Sequence, residues 1–116
     1  MTAATNLVGT LTRRRLMAAL ALLPLAGRAR AAAPRDHEVE IKSLTFQPRS
    51  LAVTPGDRIT WTNRDIAPHT ATAADGSWDS GLLERGQSWT LQVTEDTASD
   101  YFCAYHPHMT ARLSMG

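Results

Sequence analysis

Cysteine is almost absent from this chain of 116 residues: Cys103 stands alone, so no disulfide can close within it. The longest apolar run, Leu16 to Gly27, falls short of the roughly 20 residues that a membrane-spanning helix needs. Beyond residue 31 no amphipathic helix of useful length can be drawn. Gly-x-Ser-x-Gly, a phosphate loop and His-Glu-x-x-His are all missing, which removes the commonest hydrolase, nucleotide and zinc-protease signatures. Basic charge is scarce as well. The chain carries 12 Lys and Arg against 11 Asp and Glu, but Arg13, Arg14, Arg15, Arg28 and Arg30 all precede residue 32, where no acid stands. Removing those five leaves seven basic against eleven acidic residues, a poor composition for binding nucleic acid.

What the first segment does contain is an export pattern. Thr12-Arg13-Arg14-Arg15-Leu16-Met17 is a basic start with an arginine pair, followed by a short apolar core and a small-x-small site at Ala29-Arg30-Ala31. Late arginines at 28 and 30 suit a twin-arginine signal; an ordinary secretory signal is the alternative. Residues 1–31 are therefore expected to be a cleaved leader and 32–116 the mature domain, placed outside the cytoplasm, in a bacterial periplasm. A monomer without a membrane span is expected.

The mature part alternates with period two. His37 to Lys42 sets Val39 and Ile41 on one face, Leu44-Thr45-Phe46 continues the alternation, and Leu51 and Val53 point inward from the next strand. Thr54-Pro55-Gly56-Asp57 is a turn, since Pro presets φ and Gly supplies the positive φ of a type II turn. Arg58 to Thr62 places Ile59 and Trp61 inward, and Gln87 to Thr94 does the same for Trp89, Leu91 and Val93. A strand is expected over 69–73, another over 100–105 with Tyr101 and Cys103 on one face, and a last one over 111–115. Seven or eight short strands with turns between them predict an all-β, Greek-key β-sandwich. Its core is expected to hold Val39, Ile41, Phe46, Leu51, Val53, Ile59, Trp61, Trp89, Leu91, Val93 and Tyr101.

A single thiol in an oxidising compartment needs either burial or a metal. Cys103 is followed by His106 and then Met109, each three places on, and Pro68-His69 lies 34 residues upstream. Thiolate, imidazole and thioether are soft or borderline donors, and two His, one Cys and a long axial Met describe a blue-copper electron-transfer site. Singly, each residue has an ordinary reading: His69 at the surface, Cys103 as a small buried apolar group, His106 on a solvated rim, Met109 filling a core gap. Their joint spacing favours one copper ion cycling between Cu(I) and Cu(II). His108, between His106 and Met109, is expected to point outward.

The mature chain resembles the cupredoxins, and within them the amicyanin group with its tight Cys-x-x-His-x-x-Met loop. The resemblance rests on Leu44-Thr45-Phe46-Gln47-Pro48, on Leu51-x-Val53-x-Pro55-Gly56-Asp57, on Ile59-Thr60-Trp61-Thr62-Asn63-Arg64-Asp65 before Pro68-His69, and on Asp100-Tyr101-Phe102-Cys103-x-x-His106-Pro107-x-Met109. It implies that His69, Cys103, His106 and Met109 bind one copper, with Pro68, Thr70 and Ala104 around them. It also implies that Ala67, Pro68, Tyr105 and Pro107 ring His106 as a docking patch for a redox partner: a dehydrogenase, cytochrome or reductase. Two positions depart from the family: Thr70 replaces the usual Asn after the first histidine, and Ala104 replaces a hydroxyl residue after the cysteine. Tyr105 and His108 stand where amicyanins often carry proline and phenylalanine. In the family the Asn and the hydroxyl residue help lock the two ligand loops together, so their replacement by Thr70 and Ala104 leaves the reduction potential open.

Two other functions compete with electron carriage. A copper chaperone or buffer could use the same ligands, but favours an open Met- or His-rich site, and the chain holds only four of each. A copper oxidoreductase would need a second copper site and more chain. An enzyme is not expected. Carboxylate pairs such as Asp75 with Asp79 fall in polar turns and read as solvated surface.

Overall fold

Val39 and Ile41 are fully buried while Glu38, Glu40 and Lys42 face solvent, and this alternation generates β1 (Asp36–Lys42). The computed structural model describes residues 33–116, so the expected leader, residues 1–31, lies outside them. After β1 come β2 (Thr45–Gln47), β3 (Ser50–Val53), β4 (Arg58–Asn63), β5 (Thr72–Ala73), β6 (Ser88–Gln92), β7 (Asp100–Cys103) and β8 (His106–Met115). They form two four-stranded sheets, ordered β2-β1-β4-β6 and β3-β8-β7-β5. β1 runs parallel to β4 and β3 parallel to β8, whereas the other pairs are antiparallel. Parallel neighbours need long crossovers, and these carry the chain from one sheet to the other. The expected all-β sandwich is thus present. No helix among the described residues is long and apolar enough to cross a membrane.

Aromatic rings join the sheets. Tyr101 of β7 packs edge-on against Phe46 of β2 at 4.7 Å and against Trp61 of β4 at 5.5 Å between ring centroids. Trp61 also stacks with Trp89 at 5.7 Å and lies 5.4 Å from Trp78. Each buried aromatic removes some 150–250 Å² from water, so this cluster dominates the core of a small domain.

Three expected core residues are only half-buried. Trp89 and Leu91 lie on β6, and Leu51 on β3; both are edge strands, so one side of each lacks a neighbouring strand and the three pack on the margin of the core. In their place the core takes Trp78, Leu83, Met109 and Leu113. Trp78 comes from an irregular stretch, held by its Nε1 donating to the Ala98 carbonyl at 3.2 Å.

Strand limits also differ from expectation around the site. Only Thr72 and Ala73 join a sheet; His69 instead exchanges two backbone hydrogen bonds with Leu83, at 3.0 and 2.8 Å. β7 stops at Cys103 and β8 begins at His106, five residues earlier than the pattern predicts. The connection is a tight turn through Ala104 and Tyr105, which polar and apolar alternation cannot reveal.

Candidate metal centre

Cys103 and Tyr101 share the inward face of β7, which is why the sulfur points into the sandwich. The Ala104-Tyr105 turn folds the chain back, and the register pairs Cys103 with His106 across an irregularity at Phe102/Cys103. The His106 Nδ1 thereby lies 3.6 Å from Cys103 Sγ. From the other side of the sequence, the bridge to Leu83 anchors His69, and its Nδ1 also lies 3.6 Å from the sulfur. The three donor atoms fall within 4.8 Å of one another. His69 and Cys103 are completely buried and His106 is half-exposed.

This geometry fits a metal. An ion with bonds of about 2.0–2.3 Å to nitrogen and sulfur, at near-tetrahedral angles, keeps its donors about 3.5 Å apart. A thiolate with two imidazoles suits copper or zinc, and a thioether tips the set toward copper. Met109 is buried at the start of β8 and lines one hollow with His106, Leu44, Tyr105, Pro107 and His108.

Asp65 belongs to the site, and sequence reading passed over it. Its Oδ2 lies 2.9 Å from His69 Nε2 and accepts from the Leu44 N–H at 3.0 Å; its Oδ1 accepts from the Ser43 N–H at 2.7 Å. Burial works to raise the pKa of this carboxyl, but the Leu44 and Ser43 N–H groups and the His69 ring outweigh it and hold the group below the usual carboxylate range. An ionised carboxylate can only accept, so His69 carries its proton on Nε2 and turns the lone pair of Nδ1 toward Cys103. Ser43 and Leu44 form the β1–β2 hairpin turn at φ 55° and 59°. That left-handed conformation normally asks for Asn or Gly, and the Asp65 carboxylate holds both N–H groups in it. An acid four residues before a candidate ligand histidine was the available signal, since ligating imidazoles generally bond a carboxylate or carbonyl through their second nitrogen.

Thr70 and Ala104 meet each other. The Thr70 N–H points at Cys103 Sγ at 3.4 Å, and the Thr70 Oγ1 accepts from the Ala104 N–H at 2.8 Å. A hydroxyl thus ties the His69 segment to the cysteine turn. Pro68, Tyr105 and Pro107 are exposed and Ala67 half-buried at the same end as half-exposed His106. Leu44 and Ile66, 53% and 84% exposed, add to that apolar surface and were not anticipated. His108 is exposed and lies outside the cluster of donor atoms.

Comparison with known proteins agrees with this geometry. Residues 34–115 match the description of copper binding proteins of the plastocyanin/azurin family. The chain is 28% identical over 80 residues to amicyanin from Paracoccus denitrificans, a match covering 65% of this chain and 61% of that protein. A reduced-state amicyanin variant superposes with a TM-score of 0.61 at 28% identity, over 76% of this chain and 88% of the other. A copper-containing nitrite reductase from Thermus scotoductus SA-01 gives a TM-score of 0.63 at 20% identity over 77% of this chain but 24% of the enzyme, a likeness of fold alone.

Proposed function

Because the chain belongs to the plastocyanin/azurin family of copper-binding proteins, we propose that its 32–116 domain carries single electrons between redox proteins, using one copper held by His69, Cys103, His106 and Met109. The observation that carries this reading is the convergence of three donor atoms within 4.8 Å, two of them fully buried. Bound copper supplies a metal that changes charge by one between Cu(II) and Cu(I), and soft and nitrogen donors together suit both states. His69 is oriented by Asp65 and by its backbone bonds to Leu83. Cys103 is fixed on a sheet strand and accepts the Thr70 N–H. Little therefore needs to rearrange on transfer. His106 reaches the surface between Tyr105 and Pro107, and this apolar rim is the docking patch.

Residues 1–31 act as an export leader of twin-arginine type, placing the domain in the periplasm as a monomer. Its partners are a dehydrogenase, cytochrome or reductase. With His69, Cys103, His106 and Met109 all given to the ion, no position is left for water or substrate, which favours carriage over enzymatic turnover.

Copper loading tests the reading. An intense blue Cu(II) band, reversible one-electron cycling and loss of the colour in Cys103→Ser are expected. Binding of colourless Cu(I) only would favour a copper chaperone or buffer, and a coloured Cys103→Ser protein would overturn the ligand set. Mass spectrometry of the exported protein should find the new N-terminus close to residue 32.

A further inference from the structure

A relay of hydrogen bonds leaves the cysteine turn and ends at an exposed carboxylate. The Ala104 N–H donates to Thr70 Oγ1, Thr70 Oγ1 lies 2.8 Å from Thr72 Oγ1, and Thr72 Oγ1 donates to Asp79 Oδ1 at 2.8 Å. The backbone sets this up. Residues 69–83 double back through a turn, pairing His69 with Leu83 and Thr72 with Asp79. Ala73 N–H donates to the Trp78 carbonyl and Ser80 N–H to the Ala71 carbonyl, so Asp79 is held opposite Thr72. Its Oδ1 also accepts from the Gly81 N–H at 3.1 Å.

Proton counting gives the relay a direction. A hydroxyl has one proton to donate and two lone pairs to accept with, while an ionised carboxylate only accepts. Asp79 therefore takes the Thr72 proton. Thr72 must then accept from Thr70, and Thr70 has no proton left for any other acceptor. Its oxygen, polarised by the bond it donates, holds the Ala104 N–H more firmly. Cys103 Sγ, which already receives the Thr70 backbone N–H, receives nothing from the Thr70 hydroxyl.

We propose that Asp79 is a positioning residue for the metal centre: acting through Thr72 and Thr70, it clamps Ala104 to the His69 segment. This rests on the copper-site reading above, and it gives the chain's own answer to the missing Asn at position 70. Residues 34 apart in sequence are held by one N–H···O bond whose polarity is decided at the surface.

The test compares Thr72→Val, Thr72→Ser and Asp79→Ala in the full chain. In metal-free protein, Ala104 amide exchange should quicken roughly fivefold in Thr72→Val and Asp79→Ala, the factor that accompanies loss of one hydrogen bond's net contribution. Exchange of β4 amides should not change, and Thr72→Ser should behave as the parent. The Thr72→Val, Asp79→Ala double variant should match the singles, because both break one relay. With copper bound, the reduction potential should shift in Thr72→Val and Asp79→Ala and return to the parent value in Thr72→Ser, since a loosened Ala104 clamp alters the surroundings of the thiolate. Ala104 exchange that stays at the parent rate in Thr72→Val and Asp79→Ala, in a protein that takes up copper normally, or an additive double variant, overturns the relay. A parent that takes up no copper overturns the site reading instead, with the exchange result still standing.

Discussion

The Asp65 carboxylate lies 2.9 Å from Nε2 of the fully buried His69, and the same carboxylate holds the Ser43 and Leu44 N–H groups of the β1–β2 turn. One side chain therefore joins the hairpin turn at the metal end to the histidine that comes from the distant loop. Asp65→Ala should weaken copper binding about 10–100-fold, the usual effect of losing the partner of a ligating imidazole. It should also lower the melting temperature, because Ser43 and Leu44 lose what holds their positive φ. Competition titration and thermal unfolding of the metal-free protein separate the two effects. A variant that binds copper as tightly as the parent would remove Asp65 from the site.

Tyr105, 59% exposed beside His106, should matter for encounter and not for the metal. Tyr105→Lys should slow electron self-exchange between two copies by about tenfold or more at low salt, since two approaching patches would then carry like charge. The blue band should stay where it was. Line broadening in mixtures of oxidised and reduced protein measures the rate, and a parent-like rate would place the exit elsewhere.

Acid stability should turn on Asp57. Its carboxyl accepts from the Arg35 and Thr54 N–H groups and from His37 Nε2, and these contacts, the Arg35 bond foremost, lower its pKa to about 2. The folded value is below that of the unfolded chain, so the stabilisation is present above pH 4 and is lost as pH falls from 4 toward 2. Urea midpoints measured from pH 5 to pH 2 should show that slope. Asp57→Asn should start lower and flatten it; an unchanged slope would assign acid unfolding to other carboxyls.

At the alkaline end the group to watch is Tyr101. Burial pushes its pKa up to about 12, the Trp61 ring opposing slightly. Among the described residues its hydroxyl has no hydrogen-bond partner of good geometry. Neutral Tyr101 favours the folded chain, so stability should be intact below pH 10 and decline as pH rises through 12. Ultraviolet titration should show Tyr101 ionising only as pH nears 12 or on unfolding. Tyr101 ionising near pH 10 in folded protein would contradict this burial.

Period-two alternation is a local property, and it was enough to place β1, β2, β3 and β4 and the inward faces of Val39, Ile41, Ile59 and Trp61. The spacing of Cys103, His106 and Met109 is equally local, and with Pro68-His69 it carried the metal and the family. Edge position was not local. Trp89 and Leu91 alternate as core residues do, yet their strand lies at a sheet margin where one side has no neighbour. The Ala104-Tyr105 turn, the carboxylate of Asp65 on His69, and the Thr70 hydroxyl on Ala104 all depend on residues from 3 to 34 positions apart meeting at set distances. Side-chain chemistry can be read along a line, so the donors and their metal were legible in the sequence. Which polar group satisfies which, and at what range from the sulfur, is decided only when the two sheets close and water is excluded, because a buried donor must then find whatever acceptor the fold puts within reach.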